Sequence, residues 1–478
     1  MFEHENDTIA AICTGAGGAV GIIRISGPRA LNAVRAVWRG RRMPGPDCPR
    51  VLLYGRIVSG AETGAGEPSL AVFMPGPHSF TGEDVAEIHC HGGSFAARRA
   101  LRLVLRAGAR LAQNGEFTRR AFLNGKLDLT QAEGVLDLIN AGSERAGLLA
   151  ERRLNGAVGS VVREIRAEIV HLLSECESRL DFSEEDLDWM PPDTLRGRIE
   201  SLRGQAEKLA LTARAGALIR DGVSLVIAGP PNAGKSSLLN RMLGYDRAIV
   251  TPVPGTTRDT LEESVSVGGI SFRVTDTAGL REAGEADPIE AMGMARSQQS
   301  LGSADIVLWL LDASAPAESF PAQFEAMGRA KSSVRGKFIP CWNKMDGAAL
   351  ASDRLDRAYA PEKQVEDNAP EKQFVFEHIS ARTGDGLDTL FRRLEATAWE
   401  GLPPAAQSGD AVVSERHAAL LEQAAVHLGA ARDCVRAESW ELAGSSLRTA
   451  AELTGCITGE TATPDVLDEI FSRFCIGK

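Results

Sequence analysis

The run SLVIAGPPNAGKSSLLNRMLG, residues 224–244, constrains the fold of this chain more than any other stretch. A β-branched run, a glycine-rich turn and an apolar-periodic segment follow one another without a gap. The turn reads Gly229-x-x-x-x-Gly234-Lys235-Ser236. Glycines let successive backbone N–H groups curl round an anion, and a helix starting at the end of the turn adds the positive end of its dipole. Lys235 supplies a charge for the outer phosphates of a nucleotide, and the Ser236 hydroxyl supplies a ligand for Mg2+. A turn of this kind joins a strand to a helix, so a mainly parallel sheet covered by helices is expected around it.

The flanking sequence agrees. From 222 to 395 the runs VSLVIAG, ISFRVTD, ADIVLWLLD, GKFIPCWN and QFVFEHIS alternate with helical segments. Residues 1–125 read differently: VGIIRIS, VLLYGRIV, LAVFM and VAEIHCH are short β-rich runs, followed by the helical SFAARRALRLVLRAGARL. From 126 to 217, Leu, Ala, Glu and Arg recur at helical spacing and strand-like runs vanish. EGLPPAAQSGD, 400–410, reads as a linker, and helical texture then returns to the end. Thr463 as N-cap with Pro464 at the first helical position predicts the last helix. The expected organisation is an α+β domain over 1–125, a helical domain over 126–217 and 400–478, and an α/β domain over 218–399 inserted into the helical one.

At 478 residues, with 44% apolar and 24% charged residues, two to four domains with substantial cores are expected. The formal charge of −11 argues against a chain that coats nucleic acid indiscriminately. It leaves room for a local basic face, and Arg98, Arg102, Arg106 and Arg110 recur every four residues on a predicted helix. The N-terminal MFEHENDTIAA lacks a basic segment followed by an apolar one, and IVLWLL is far short of the roughly 20 residues of a membrane span. Eight scattered cysteines without a C-x-x-C pair suit a reducing cytoplasm.

Further signals specify the nucleotide. DTAG (Asp276, Thr277, Ala278, Gly279) follows a strand and suits an acid on the Mg2+ side with a glycine amide facing the γ-phosphate. NKMD (Asn343, Lys344, Asp346) ends another strand. A carboxylate accepts at both oxygens, so Asp346 suits the adjacent N1–H and N2–H donors of guanine, which adenine lacks. SAR, with Ser380 and Ala381, fits a loop beside the base. Four motifs in this order resemble the Ras-like G domain of translation-factor-class GTPases. That resemblance places Asn232, Ala233, Gly234, Lys235, Ser236 and Ser237 on the phosphates of GTP. After DTAG stands Leu280, where many Ras-like GTPases carry a water-orienting Gln. Another group must do that work, and Arg258, Arg281, Glu282 and Glu290 are the local candidates.

GTTRD (Gly255–Asp259) together with Asn232 in the phosphate loop resembles the potassium-activated GTPases. GIIRISGP, PGPHSFTGEDVAEIHCHGG, GEFTRRAFLNGKLDLTQAEGVLDLI and the terminal FCIGK are similar to one family among them, the MnmE or TrmE tRNA uridine-modification GTPases, along essentially the whole chain. The resemblance implies an N-terminal folate-binding and dimerising domain and a helical domain interrupted by the G domain. It also implies a homodimer that works with the flavoprotein MnmG (GidA), which supplies FAD. The family modifies C5 of the wobble uridine of certain tRNAs to carboxymethylaminomethyl or aminomethyl uridine, using a one-carbon unit from 5,10-methylenetetrahydrofolate. GTP hydrolysis is required.

Residue by residue, the resemblance implies K+ held by Asn232, Thr251, Val253 and Thr256, where an arginine finger would otherwise place its charge, and Mg2+ held by Ser236 and Thr257. Glu290 would orient the attacking water; the extra residues of AGEADP leave Glu282 as the alternative. Arg24, Glu87 and Lys126 would bind folate. Family members often carry a basic residue in the N-terminal glycine stretch, which here reads CTGAGGAVG. In HCH (His89, Cys90, His91) the two histidines share one strand face and the cysteine takes the other, which favours a folate-pocket edge or packing over a metal. Cys475 would be a catalytic thiol on a short tail reaching the centre of the helical domain, beside the folate and the docked uridine. The rival reading is a GTP-switched RNA-binding or ribosome-assembly factor with no modification chemistry, which leaves the folate-type motifs and the terminal cysteine unexplained.

Overall fold

The computed structural model describes residues 7–15, 18–59, 66–181, 188–245, 262–276, 300–348, 352–358, 375–402 and 411–478. The chain divides into two compact units. The first holds residues 1–136, 151–210 and 416–478, and the second 137–150 and 211–415. The N-terminal α+β segment and most of the helical segments therefore share one unit.

In the first unit, β1 (Ile9–Ile12), β2 (Val20–Ser26), β3 (Trp38–Gly40), β4 (Leu53–Ile57), β5 (Glu67–Met74), β6 (Val85–His91) and β7 (Arg110–Leu111) form one sheet in the order β3-β4-β5-β6-β2-β1-β7. Its pairs are antiparallel except β1 with β7. Alternation decides its two faces. Ala86, Ile88 and Cys90 of β6 and Ile23 and Ile25 of β2 join the core, and Glu87, His89 and Arg24 point to the other side. Helices α1 (Ala30–Val37) and α2 (Ser94–Arg106) cover the apolar face with Ala30, Ala33, Val34 and Val37 and with Ala97, Ala100 and Val104. That is helical spacing, and burying each Val or Ile side chain contributes about 1.5–3 kcal/mol.

The helix predicted to run through Arg110 stops at Arg106. Gly108 takes φ 103°, and Arg110 belongs instead to β7, paired with β1. Its guanidinium bonds Glu116 and Asp7, each at 2.5 Å, so Arg110 leaves the predicted basic stripe.

The helices that follow are α3 (Glu116–Leu123), α4 (Leu129–Asn140), α5 (Glu144–Leu154), α6 (Ala157–Asp181) and α7 (Pro192–Ala210). In the second unit come β8 (Val223–Ala228), β9 (Glu262–Val267), β10 (Ile270–Asp276), β11 (Ile306–Asp312), β12 (Lys337–Asn343) and β13 (Glu377–His378), in the order β13-β12-β11-β8-β10-β9. All neighbours are parallel except β9 with β10. With them are α8 (Ala213–Asp221), α9 (Lys235–Tyr245), α10 (Phe320–Ser332), α11 (Ser352–Ala358) and α12 (Leu387–Trp399). Strand β8 is apolar on both faces, as a central parallel strand requires. Leu225 and Ile227 meet Leu238 and Met242 of α9 and Leu390 of α12, while Val226 and Ala228 belong to the core of Phe320, Met327 and Trp342.

The chain closes with α13 (Glu415–Arg436), α14 (Trp440–Thr458) and α15 (Pro464–Ser472). Thr463 occupies the predicted N-cap position of α15 in extended conformation, without a side-chain cap bond. The long α6 lies along α14, where Gly444 and Ala450 leave room for it. A buried ion cluster joins α4, α13 and α14. Arg416 and His417 bond the two oxygens of Glu133 at 2.8 and 2.7 Å, and Arg416 also donates to the Cys456 carbonyl at 3.1 Å. Burial alone would raise the Glu133 carboxyl, but His417 and Arg416 outweigh it and hold it well below the carboxylate range. The cluster therefore contributes stability above the ordinary glutamate pKa of about 4.3, lost as pH falls through the depressed value. Among the described residues no helix is long and apolar enough to cross a membrane.

Candidate functional site

The carboxyl edge of the parallel sheet carries the phosphate turn, where α/β folds bind ligands. Strand β8 ends at Ala228, and the turn needs backbone conformations that side chains resist. Gly229 has φ 146°, and a Cβ there would stand 2.4 Å from the Leu310 carbonyl oxygen. Gly234 has φ 91°, with a Cβ position 2.4 Å from Asn343 Nδ2. Asn232 is left-handed at φ 61°, and its side chain is exposed at the top of the turn. The buried Lys235 folds back over the turn, its Nζ donating to the carbonyls of Gly229 (3.1 Å) and Pro230 (2.9 Å). An ammonium held there would face an anion cradled by the turn. Ser236 and Ser237 begin α9 with exposed side chains, and Ala233 is buried beneath them.

The base side is tied to this turn through Asn343. Its Nδ2 donates to the Ala233 carbonyl at 2.8 Å, and its Oδ1 accepts from the Ala381 N–H at 3.0 Å, at 1% exposure. Asn343 thus holds the phosphate turn and the SAR loop at a fixed separation. Lys344 is left-handed at φ 63° and pairs with Asp312 at the end of β11 at 2.7 Å. Asp346 accepts from the buried Ser380 hydroxyl at 2.5 Å and pairs with Arg382. The Ser380 bond, and then Arg382, keep its carboxyl below the ordinary carboxylate range. Arg382 was not singled out from the sequence, although it completes SAR. Asp346 in its ionised form beside Ser380 fits a base that offers two adjacent N–H donors.

Strand β10 ends at Asp276, in register with Ile227 just before the phosphate turn. Thr251, Val253, Thr256, Thr257, Arg258, Thr277, Ala278, Gly279, Leu280, Arg281, Glu282 and Glu290 lie outside the described residues.

In the first unit, the pairing of β2 with β6 sets Arg24 directly opposite Glu87. Arg24 Nε bonds Glu87 Oε1 at 2.9 Å, and its guanidinium carbon lies 5.2 Å from the Phe80 ring centre and 5.9 Å from that of Phe117. Glu87 Oε2 lies 3.0 Å from His89 Nε2. Burial alone would raise the Glu87 carboxyl; His89 and Arg24 bring it below the usual range. Cys90 is on the other face with its thiol 3.4 Å from the Gly21 carbonyl, and His91 meets Glu67, so HCH divides as the strand alternation predicts. Lys126 is exposed, its stem against Gly82, where a Cβ would stand 3.4 Å from Lys126 Cγ. Phe80 and Gly82 belong to one loop, which touches both Arg24 and Lys126. The half-buried guanidinium, the exposed Phe80 ring and an ionised carboxylate fit a flat, donor-bearing heterocycle such as a pterin, and the buried Phe117 ring backs the guanidinium. The two rings carried no local sequence signal, because the loop and α3 approach Arg24 from distant parts of the chain.

The C-terminal tail is ordered against this same edge. Gly115 N–H donates to the Cys475 carbonyl at 3.4 Å, Phe117 N–H donates to the Lys478 carbonyl at 3.2 Å, and Asn114 pairs with Ile476. Gly477, at φ 100°, lies against Ile12 and Cys13; a Cβ on it would stand 2.4 Å from the Ile12 carbonyl oxygen. The tail therefore docks on the N-terminal α+β segment rather than reaching the centre of the helical segments. The reason is steric and local: Phe474 is buried with Phe471 of α15, and the glycine fits where β1 ends. Burial is the main influence raising the Cys13 thiol. Gly477 sets the chain end against Ile12 and Cys13, and Ala11 just before them pairs with Arg24 in the sheet. The Cys475 side chain is exposed.

Residues 8–126 match the family described as GTP-binding protein TrmE N-terminus, and residues 129–475 match the MnmE helical domain. The tRNA modification GTPase MnmE of Symbiobacterium thermophilum is 41% identical over 480 residues, 99% of this chain and 99% of that protein. That of Chloroflexus aurantiacus is 41% identical over 476 residues, 99% and 100% of the two chains. The chain belongs to the MnmE family of tRNA modification GTPases. Era of Aquifex aeolicus, crystallised with GDP and AlF4−, is 27% identical over 38% of this chain and 57% of its own, at a TM-score of 0.28. As an MnmE-family member the chain is a GTP-binding, GTP-hydrolysing enzyme of tRNA processing.

Proposed function

We propose that this enzyme, as a homodimer working with the flavoprotein MnmG, adds a carboxymethylaminomethyl or aminomethyl group to C5 of the wobble uridine of tRNA, with K+-stimulated GTP hydrolysis driving the cycle. The observation that carries the folate part is the Arg24–Glu87 pair, with the Phe80 and Phe117 rings 5.2 and 5.9 Å from the Arg24 guanidinium carbon and the C-terminal tail ordered against the end of β1. A reduced folate, 5,10-methylenetetrahydrofolate, would bring the one-carbon unit, and the partner would bring FAD. Glu87 accepts from the donor edge of the pterin, Arg24 stacks and donates, and Lys126 meets the anionic glutamate tail. A strain lacking the protein should lose the modified wobble nucleoside from digested bulk tRNA, as read by mass spectrometry. A wild-type level of that nucleoside would defeat the reading.

At the nucleotide, Lys235 neutralises the outer phosphates, Ser236 and Thr257 hold Mg2+, and Asp346 selects guanine. Asn232, exposed at the top of the turn, would hold K+ together with the carbonyls of Thr251, Val253 and Thr256. Glu290, or Glu282 in its stead, orients the water. GTP turnover should therefore be faster in K+ than in Na+ at equal ionic strength, and Asn232→Ala should remove that difference while largely preserving GDP binding. Equal rates of the wild-type enzyme in the two salts would rule the potassium site out.

A further inference from the structure

The two helices that cover the N-terminal sheet come from stretches without a single acidic residue. Residues 28–46 contain Arg29, Arg35, Arg39, Arg41 and Arg42 and no Asp or Glu; residues 88–115 contain Arg98, Arg99, Arg102, Arg106 and Arg110 and again none. In a chain of formal charge −11 this is a local reversal of sign. The structure removes Arg110 from the stripe and supplies a replacement. The Arg29 guanidinium lies over the Gly108 turn at the end of α2, 3.6 Å from where a Cβ on Gly108 would stand. Arg98, Arg102 and Arg106 are exposed, spaced about 6 Å apart along α2 at 1.5 Å per residue, and none pairs with a carboxylate among the described residues. Phe95, on the same helix face three residues before Arg98, is 72% exposed.

A helix face with unneutralised guanidiniums and a bare aromatic ring is built for a polyanion that carries flat bases. We propose that the outer face of α2, extended by Arg29, binds the RNA phosphate backbone of the tRNA substrate, with an unpaired base stacked on Phe95. The location makes the proposal specific. α2 covers one face of the sheet, and Arg24 and Glu87 project from the other. A helix layer and a sheet layer, spaced by about 10 Å, therefore separate the basic face from the candidate chemistry. The RNA that reaches α2 is the tRNA body outside the anticodon arm, whose uridine goes to the Arg24 side. This rests on the tRNA-modification reading above.

The test uses the full-length protein and an unmodified tRNA transcript, with affinity followed by fluorescence anisotropy between about 50 and 200 mM salt. Replacing Arg98, Arg102 and Arg106 together by Ala should weaken tRNA binding at least about tenfold at the lower salt. It should also reduce the slope of log affinity against log salt by about 2–3, because each lost phosphate contact removes about 0.7–0.9. Phe95→Ala should weaken binding about fivefold or more with the slope unchanged. GTP hydrolysis should stay at the wild-type rate in both variants, which shows that they fold. An isolated anticodon stem-loop should bind the triple variant as it binds the wild type. Wild-type tRNA affinity and slope in the triple variant would overturn the proposal. So would an equal loss for the stem-loop, or a loss confined to anionic phosphatidylglycerol vesicles or to the flavoprotein partner. A deletion strain that keeps its modified nucleoside would defeat the chemistry while leaving these binding slopes to decide the face.

Discussion

Asp346→Ala is expected to weaken GTP binding by roughly 10²–10⁴-fold, the largest loss of nucleotide affinity from any one base-side change. The estimate follows from two hydrogen bonds to a charged acceptor at about 1.5–3 kcal/mol each, converted at about 1.4 kcal/mol per tenfold. The structure says why the carboxylate is ready for them: the buried Ser380 hydroxyl fixes one oxygen at 2.5 Å and helps keep the group ionised. Nothing in the fold depends on its pairing with Arg382, whose side chain is 79% exposed and returns to water. Ser380 retains the Thr383 N–H at 3.1 Å, so the loop keeps its turn. Phosphate contacts survive, because Asn343 and not Asp346 ties the base side to the phosphate turn. The variant should thus stay folded and lose its preference for guanine over adenine nucleotides. Titration with a fluorescent GTP analogue, competed by ATP, measures both. A GTP affinity within a fewfold of wild type would remove Asp346 from base recognition.

What was legible in the sequence is what is local. Strands β2, β6, β8, β11 and β12 lie where their apolar runs and breakers place them, because alternation or continuous burial is written within seven residues. The phosphate turn is legible for the same reason: its glycines answer to backbone positions inside one turn. The end of α2 was not, because the Arg periodicity continues past Gly108 while the backbone turns there to pair β7 with β1. A periodicity in charge alone does not hold a helix together when a strand partner competes. The partners of Arg24 were out of reach too. Glu87 lies 63 positions away and meets it only through the register of β2 with β6. Phe80 and Phe117 come from a loop and a helix that no short-range pattern connects. Lys344 and Asn343 show a subtler limit. The motif marks both as nucleotide-binding; that Asn343 also ties Ala233 to Ala381, and Lys344 pairs with Asp312, is not written in it.

Cys475→Ser is expected to abolish the modified wobble uridine in cells while leaving GTP hydrolysis close to wild type. A thiol three residues from the end of a chain would ordinarily sit on a frayed terminus. Here the Gly115 and Phe117 amides hold the carbonyls of Cys475 and Lys478, and Gly477 fits against Ile12 and Cys13 with no room for a side chain. Phe474 is buried and the Cys475 side chain is exposed beside it, so the docking presents the thiol to solvent instead of hiding it. Gly477 meets the end of β1, whose Ala11 pairs with Arg24 in the sheet. We propose that the thiol of a tail anchored in this way acts as nucleophile or proton donor in the one-carbon transfer. The nucleotide site belongs to the other unit and shares no residue with the tail, so hydrolysis provides the control. Gly477→Ala separates chemistry from docking, since it keeps the thiol but forces a Cβ to 2.4 Å from the Ile12 carbonyl oxygen. It should displace the tail and lower modification as well, with the loss of tail order visible as faster hydrogen exchange at Gly115 and Phe117. Mass spectrometry of digested tRNA reads both variants. A wild-type level of modified nucleoside in Cys475→Ser would show that the thiol has no essential part in the chemistry, and the tail would then be a purely structural clasp.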